Sequence, residues 1–160
     1  MKADAMTVSE IWETLDGYAE AFSRRELGKM MAFFAPDPDV VHIGTGVDEW
    51  CNGVAELQEQ FERTLEQGDA IDFGFSNLQV SQVPSVDTLC WIAADIVVRA
   101  EVGGRTKTFI GRATAVMEKR GDTWLFVQTH FSLPAVGQEV GRSFPEEVSD
   151  VMPEEIADAA

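Results

Sequence analysis

The sequence predicts an α+β domain in which three helices precede a four-stranded antiparallel meander. Apolar residues recur at helical spacing in the first part of the chain, whereas β-branched and apolar residues dominate after Gly68. Turn sequences separate the later strands, among them Gly103-Gly104 and Arg120-Gly121-Asp122. With 160 residues, the chain has the length of one domain with its own core. Helices followed by strands are typical of helices packed on one face of a curved sheet.

Three segments have the spacing of amphipathic helices. The first lies within residues 7–35, where Ser9 is placed to cap its N-terminus. A second, short helix is expected at about residues 26–34, and Pro36 prevents it from continuing. The third spans 54–66, with apolar residues on one face and glutamates on the other.

The remaining segments predict strands and turns. A short strand at 39–45 leads into a glycine-containing loop at 44–53. After the third helix, four strands are expected at 71–83, 88–101, 106–119 and from 123 onward. We assign residues 1–135 to the domain. Residues 136–160 form an acidic tail that is either loosely ordered or a short docking segment.

The composition indicates which binding partners are disfavoured and which cellular compartment the protein is expected to occupy. The formal net charge of −16 disfavours nucleic acid and anionic membrane surfaces, which need clustered Lys and Arg. No apolar run reaches the roughly 20 residues needed to cross a bilayer, and the N-terminus has no apolar signal core. Cys51 and Cys90 lie in apolar surroundings, which favours free thiols over a disulfide. A cytoplasmic protein is therefore expected.

Three stretches carry a resemblance to a known family: FFAPDPDVVHIGTG at 33–46, CNGVAELQEQF at 51–61 and GRATAVMEKRGDTWLFVQTHFSLPA at 111–135. They resemble the SnoaL-like branch of the NTF2-like superfamily over about residues 9–135. The resemblance implies a cone-shaped, cystatin-like α+β barrel, in which three helices wrap a strongly bent, mostly antiparallel sheet around a pocket. It also implies homodimers that pair through the other face of the sheet.

The end of the third stretch is also similar to the association domain of calmodulin-dependent kinase, an oligomerisation module of the same superfamily. The shared residues are Arg120-Gly121 and Trp124, followed by His130, Ser132 and Pro134. Because enzymes and assembly modules share this ending, the fold alone does not decide the function.

Ketosteroid isomerase, another member of the superfamily, gives a further comparison. Tyr18, in GYAEAFSRRE, matches the position of its tyrosine on the first helix. The position of its catalytic base falls near His42, and that of its second pocket acid falls near Arg112. A carboxylic acid that stays neutral and donates to an oxyanion is therefore missing. Steroid isomerisation is not expected.

Strict alternation divides the last strand into two faces. One carries Leu125, Val127, Thr129, Phe131 and Leu133, and the other carries Trp124, Phe126, Gln128, His130 and Ser132. The second face combines aromatic and polar side chains, as a ligand pocket does, but it suits a subunit interface equally well. Alternation leaves both alternatives open.

Arg112 and Asp95 are charged residues within apolar strands. Buried charges are rarely unpaired, so Arg112 is expected to meet Asp95, Glu49 or an acid group of a ligand. Arg112 lies beside His130 if the turn after Arg120 is a three-residue bulged hairpin. Asp95 is a candidate general acid or base, with a structural ion pair as the alternative.

We expect nine residues to line the predicted pocket. The catalytic candidates are Asp95, His42 and Tyr18. The ligand-binding candidates are Arg112, His130, Trp91, Trp12, Glu49 and Trp50, with Trp50 placed as a lid. Two histidines on separate strands are a weak metal signal, so neither a metal nor another cofactor is expected.

Two functions fit these residues. The first is a small-molecule-binding protein with a pocket in the cone. As an enzyme, it would be a cofactor-independent isomerase, cyclase or dehydratase acting on an organic carbonyl compound or acid. The second is a non-catalytic oligomerisation module that captures a carboxylate or peptide on Arg112. Both readings expect a homodimer.

Overall fold

The computed structural model describes residues 2–68, 70–135 and 139–143. The three helices are α1 (Ala5–Ser23), α2 (Leu27–Met31) and α3 (Val54–Gln67). The six strands are β1 (Val41–Ile43), β2 (Trp50–Asn52), β3 (Ala70–Gln82), β4 (Leu89–Val102), β5 (Arg105–Arg120) and β6 (Thr123–Ser132). The predicted α+β class is confirmed. The predicted tail at 136–160 lies outside the described residues, except for 139–143.

All six strands belong to one sheet, in the order β2-β1-β6-β5-β4-β3. Strands β3 to β6 form the predicted antiparallel meander. The short strand β1 adds to β6 in parallel, and β2 pairs with β1 in antiparallel fashion. Strand β2 was missed because the glycines around it indicate a loop. The parallel pairing places β1 beside the end of β6, and it thereby brings His42 next to Thr129.

Helix α1 begins earlier than predicted. The Asp4 side chain accepts a hydrogen bond from the Thr7 backbone N–H at 2.9 Å, so Asp4 is the N-cap and Ser9 lies inside the helix. The start at Ala5 lets α1 cross the sheet with Ile11, Leu15 and Tyr18 fully buried against it.

Aromatic rings fill the core between α1, α3 and the sheet. Tyr18 is central to it and meets the rings of Phe73 and Phe126 edge-on at 5.9 Å and 5.5 Å. Trp124 is 2% exposed, and its indole Nε1–H donates to Glu10 at 2.8 Å. Lys119 also reaches Glu10, at 2.7 Å, which ties the end of β5 to α1.

A β-bulge in β6 breaks the strict alternation of its side chains. Val116 pairs with Gln128, whereas Met117 pairs with Phe126, so Val127 is the extra residue. Trp124 and Phe126 therefore lie in the core on the same side as Thr129, and the predicted division of β6 into two faces is wrong. The turn itself is tighter than predicted, because Arg120 pairs directly with Thr123.

No helix in the described part of the chain is both long and apolar enough to cross a membrane. Cys51 and Cys90 are buried free thiols, as predicted. Burial raises the pKa of Cys90 to about 12, so this thiol stays protonated near neutral pH.

Candidate functional site

A cavity of about 160 Å³ lies inside the cone, between the helices and the inner face of the sheet. An apolar cavity of ~150 Å³ is large enough to hold benzene. The apolar part of its lining is Phe22, Phe61, Phe73, Ile96, Val98 and Phe131. The polar part is Tyr18, His42, Thr45, Glu49, Gln60 and Thr64. An apolar body with a few placed polar groups is the usual composition of a small-molecule site.

The cavity continues into a second chamber of about 290 Å³. The two share Phe22, Thr45, Thr64, Ile96 and Val98 as lining residues. Beyond these, the second chamber is mostly aliphatic and aromatic, with Ile71, Ala100, Phe109 and Leu133. The polar groups are thus concentrated at one end of a longer apolar space.

Tyr18 points a neutral phenol at this space. It is 2% exposed, and burial raises the pKa of Tyr18 well above its usual range, so the hydroxyl remains a donor. Among the described residues, the Tyr18 hydroxyl has no hydrogen-bond partner. Every described side-chain oxygen that is completely inaccessible to solvent does have a hydrogen-bond partner, so the Tyr18 hydroxyl is not completely inaccessible. The hydroxyl therefore keeps contact with the cavity that Tyr18 lines.

His42 is the second polar group of the buried end. It is 5% exposed, and its Nδ1 lies 2.7 Å from Thr129 Oγ1. Burial lowers the pKa of His42 to about 4, so the ring is neutral near pH 7. His42 Nε2 has no hydrogen-bond partner among the described residues, and it is not completely inaccessible to solvent. It therefore also contacts the cavity that His42 lines. The ring packs edge-on to Phe61 at 5.4 Å.

Glu49 lines the cavity and is held by hydrogen bonds to α3 and to its own loop. Its Oε1 accepts from Gln60 Nε2 at 2.7 Å, and its Oε2 accepts from the Gly46 backbone N–H at 2.8 Å. Gly44 is required here because a Cβ at that position would collide with the Glu49 side chain. Arg63 donates to Gln60 and pairs with Asp48 at 3.1 Å, outside the lining.

Four predicted pocket residues lie on the outer face of the sheet instead. In β4 and β5, Trp91 pairs with Val116 and Asp95 pairs with Arg112, whereas the residues between them, such as Ile92 and Ala115, are buried. His130 is opposite Thr114 and diagonal to Arg112, on the same outer face. Arg112 and His130 therefore share a face, but that face points away from the cavity.

The expected partner of Arg112 is also absent in the part of the chain described here. Arg112 is exposed and forms no ion pair with a described carboxylate. Asp95 instead accepts a hydrogen bond from Asn77 Nδ2 at 3.2 Å. The sequence suggested burial because the strand is apolar, but the Arg112 side chain is exposed on the outer face.

Trp12 and Trp50 do not line the cavity either. Trp12 is partly buried on α1, and Trp50 is 63% exposed on β2. Of the predicted site residues, the structure brings together Tyr18, His42 and Glu49. Within the described residues, no group of three or more His, Cys, Asp or Glu side chains could hold a metal ion.

Sequence reasoning missed Thr129, Gln60 and Phe61. Gln60 and Phe61 lie on the buried face of α3, where Gln60 is 5% exposed among apolar neighbours. A polar residue at an apolar helix position is a signal that could have identified Gln60. Thr129 gives no such signal, because threonine is common in strands and its partner comes from a distant segment.

Comparisons with known proteins agree with this architecture. A profile of the SnoaL-like domain family matches residues 11–136. An NTF2-like superfamily protein from Salmonella enterica serovar Typhimurium superposes with a TM-score of 0.75 at 18% identity, covering 89% of this chain and 100% of that chain. No curated protein matches the sequence.

Two other solved structures are similar in fold. One is a provisionally named calcium/calmodulin-dependent protein kinase II association domain from Xanthomonas campestris, with a TM-score of 0.68 and 21% identity over 83% of this chain and 89% of that chain. The other is a provisionally named scytalone dehydratase from Novosphingobium aromaticivorans, with a TM-score of 0.72 and 11% identity over 91% of this chain and 96% of that chain. At these identities, the likeness shows the fold alone. Because the family profile covers most of the sequence, the chain belongs to the SnoaL-like domain family.

Proposed function

We propose that the protein binds a small organic carbonyl compound inside the cone. The observation that carries this proposal is a pair of polar groups, Tyr18 and His42, that are almost completely buried and line one aromatic cavity. One polar atom of each has no hydrogen-bond partner among the residues that the structure describes. Leaving buried polar atoms unpaired is costly, and a ligand that pairs with them recovers that cost.

The same groups suit cofactor-independent proton transfer next to a carbonyl. A base removes a proton from the adjacent carbon, the electron pair moves onto the carbonyl oxygen, and Tyr18 donates a hydrogen bond to that oxygen. With a β,γ-unsaturated ketone, return of the proton to the γ carbon shifts the double bond and completes an isomerisation. With a β-hydroxy ketone, the electron pair returns from oxygen, the bond from the β carbon to the hydroxyl breaks, and the hydroxyl leaves with the abstracted proton as water. Glu49 and His42 are the candidate bases in the lining. The similar structure named as a scytalone dehydratase supports this reaction class. Asp95 has no part in it, because it lies across the sheet.

The test is binding of 2-acetylnaphthalene, an aromatic ketone with an apolar body and one acceptor oxygen. Titration followed by amide chemical shifts should map the probe to Tyr18, His42 and Phe61. The substitution Tyr18→Phe should weaken binding by about tenfold, since it removes one hydrogen bond. Trp91→Phe on the outer face is the control and should bind like the wild type. Shifts confined to the outer face around Trp91, or no saturable shifts, would contradict the proposal.

A second candidate function is assembly through the outer face of the sheet. This face exposes large apolar side chains, with Trp91 40% and Ile110 66% accessible. A shallow depression of about 180 Å³ lies between Trp91, Thr114, Val116 and Gln128. The similarity to a kinase association domain supports a homodimer built on this face. Both functions are compatible in one molecule, because the cavity and this face lie on opposite sides of the sheet.

We also propose a cytoplasmic location. The two cysteines are buried as free thiols, which fits a reducing compartment.

A further inference from the structure

The contact between Thr129 and His42 bears on which ring nitrogen carries the hydrogen. Its hydroxyl is 1% exposed and has one hydrogen to donate. Within the described residues, the acceptor that this hydroxyl reaches is His42 Nδ1, at 2.7 Å. If Nδ1 carried the ring hydrogen, it would donate to Oγ1 and leave the hydroxyl hydrogen buried without an acceptor. The arrangement that satisfies both groups has Thr129 donating and Nδ1 accepting.

The consequence for the cavity is that Nε2 carries the hydrogen of the neutral ring. Nε2 opens to the cavity, where it faces the ligand as a donor with no lone pair to offer. The Tyr18 hydroxyl is a second donor in the same space. Phe61 packs against both rings, 5.4 Å from His42 and 6.5 Å from Tyr18, so the two donors border one volume.

Charge in the lining restricts the ligand further. Glu49 is an ionisable carboxyl in the lining, and no Lys or Arg is present among the described lining residues. A ligand carboxylate would meet this negative charge without a cation to offset it. An uncharged carbonyl compound meets two donors and an apolar wall.

We infer that Thr129 fixes His42 as a hydrogen-bond donor, and that His42 and Tyr18 together recognise one acceptor oxygen of an uncharged apolar ligand. This inference rests on the proposed function and names its ligand class. It assigns Thr129 as a positioning residue, and it leaves Glu49 as the base of the proposed proton transfer.

The tautomer is measured directly, without a ligand. The chain has two histidines, so long-range ¹H–¹⁵N spectra of ¹⁵N-labelled protein at pH 7.5 resolve both rings once His130→Gln identifies one of them. We expect His42 to have a protonated Nε2 and an unprotonated Nδ1. The substitution Thr129→Val should produce a mixture of tautomers, and Thr129→Ser should restore the wild-type spectrum. A wild-type ring protonated at Nδ1 overturns the inference.

Three probes of similar shape test the ligand class: 2-acetylnaphthalene, 2-ethylnaphthalene and 2-naphthoate. We expect the ketone to bind at least about tenfold more tightly than the other two. Thr129→Val should reduce this preference for the ketone over the hydrocarbon by about fivefold, and Thr129→Ser should retain it. Thr114→Val is the matched control, since Thr114 lies opposite the other histidine on the outer face. It should change nothing.

The outcomes separate the inference from the proposed function. If all three probes bind the cavity equally, or the naphthoate binds best, the ligand class is wrong although the binding function stands. If none binds, the proposed binding function fails for this class, whereas the ¹⁵N spectra still decide the role of Thr129. If Thr129→Val does not fold, the wild-type tautomer and the three wild-type affinities remain decisive.

Discussion

At the residue scale, His42 joins the fold to the proposed chemistry. It lies on a strand of three residues, held by parallel pairing with β6, and its ring is buried among Phe34, Phe61 and Phe131. This setting favours the neutral ring, because an imidazolium would lose its hydration there. The desolvation that makes His42 a neutral ligand-facing group also makes it sensitive to acid.

Acid should therefore destabilise the protein through His42. Burial lowers the pKa of His42 from 6.5 to about 4, so between these pH values the unfolded chain binds a proton that the folded chain does not. Titration of His42 therefore leaves the free energy of unfolding unchanged above about pH 6.5 and lowers it as the pH falls from 6.5 toward 4. The whole loss amounts to about 3 kcal/mol. Urea unfolding of wild type and His42→Gln from pH 7.5 to 4.5 should show a steeper decline for wild type.

A substitution that adds or removes no titratable group provides the control for this prediction. Thr114→Val, on the outer face of β5, keeps His42 in place and should decline in parallel with the wild type. Parallel curves for wild type and His42→Gln would show that His42 is not buried as a neutral ring.

Some predicted site residues line the cavity and others lie elsewhere, for physical reasons. Tyr18 and His42 were predicted from positions that resemble a known pocket, and Glu49 was predicted as a loop carboxylate that could pair with Arg112; these three side chains line the cavity. Asp95 and Arg112 were misplaced because an apolar strand does not reveal which of its faces contacts water. Thr129 was missed because its role depends on one hydrogen bond to a residue 87 positions away.

At the element scale, the β5–β6 hairpin decides which side chains enter the cone. The bulge at Val127 turns Trp124 and Phe126 inward together with Thr129. Helix and strand periodicity predicted the elements, but periodicity cannot locate a bulge, which shifts every later residue to the opposite face. The strand predicted at 39–45 contains β1, whereas β2 was missed because the glycines around it indicate a loop.

Gly111 permits the close approach of β5 to the end of β6. A Cβ at this position would lie 2.5 Å from the Ser132 carbonyl oxygen and 2.9 Å from Leu133 Cδ2. Because the first contact is to backbone, Gly111→Ala should move the strands apart and lower the free energy of unfolding by about 1–3 kcal/mol. Equilibrium urea unfolding measures this difference.

A second strand glycine is the matched control. Gly74 in β3 would place its Cβ in open space, with no atom within 4 Å. Gly74→Ala should stabilise the protein slightly, by up to about 1 kcal/mol, because alanine reduces the entropy of the unfolded chain. Equal destabilisation by both alanines would show that strand propensity, not the contact with Ser132, determines the effect at Gly111.

At the scale of the whole molecule, the sheet separates two surfaces with different chemistry. Its inner face lines an apolar cavity, and its outer face combines exposed apolar groups with charges of both signs, including Asp95, Arg99 and Arg112. In a two-fold dimer, the same patch of each copy faces the other copy. A patch that carries both positive and negative charges can therefore pair them across the interface. The net charge of −16 on each chain opposes this association at low salt.

The dimer proposal predicts a charge-sensitive and salt-sensitive equilibrium. Wild-type protein should sediment as a dimer at micromolar concentration in physiological salt, and lower ionic strength should weaken the dimer because repulsion between the acidic chains is less screened. Trp91→Asp should weaken dimerisation by at least about tenfold, since it buries a charge in place of a large apolar side chain.

The control is Val47→Asp, an exposed apolar residue on the loop before β2, which should leave the dimer unchanged. Wild type that stays monomeric at tens of micromolar, or a Trp91→Asp dimer of unchanged affinity, would exclude this face as the interface. Because the cavity lies on the other side of the sheet, Trp91→Asp should still bind 2-acetylnaphthalene, so loss of the dimer and loss of binding are separable in one variant.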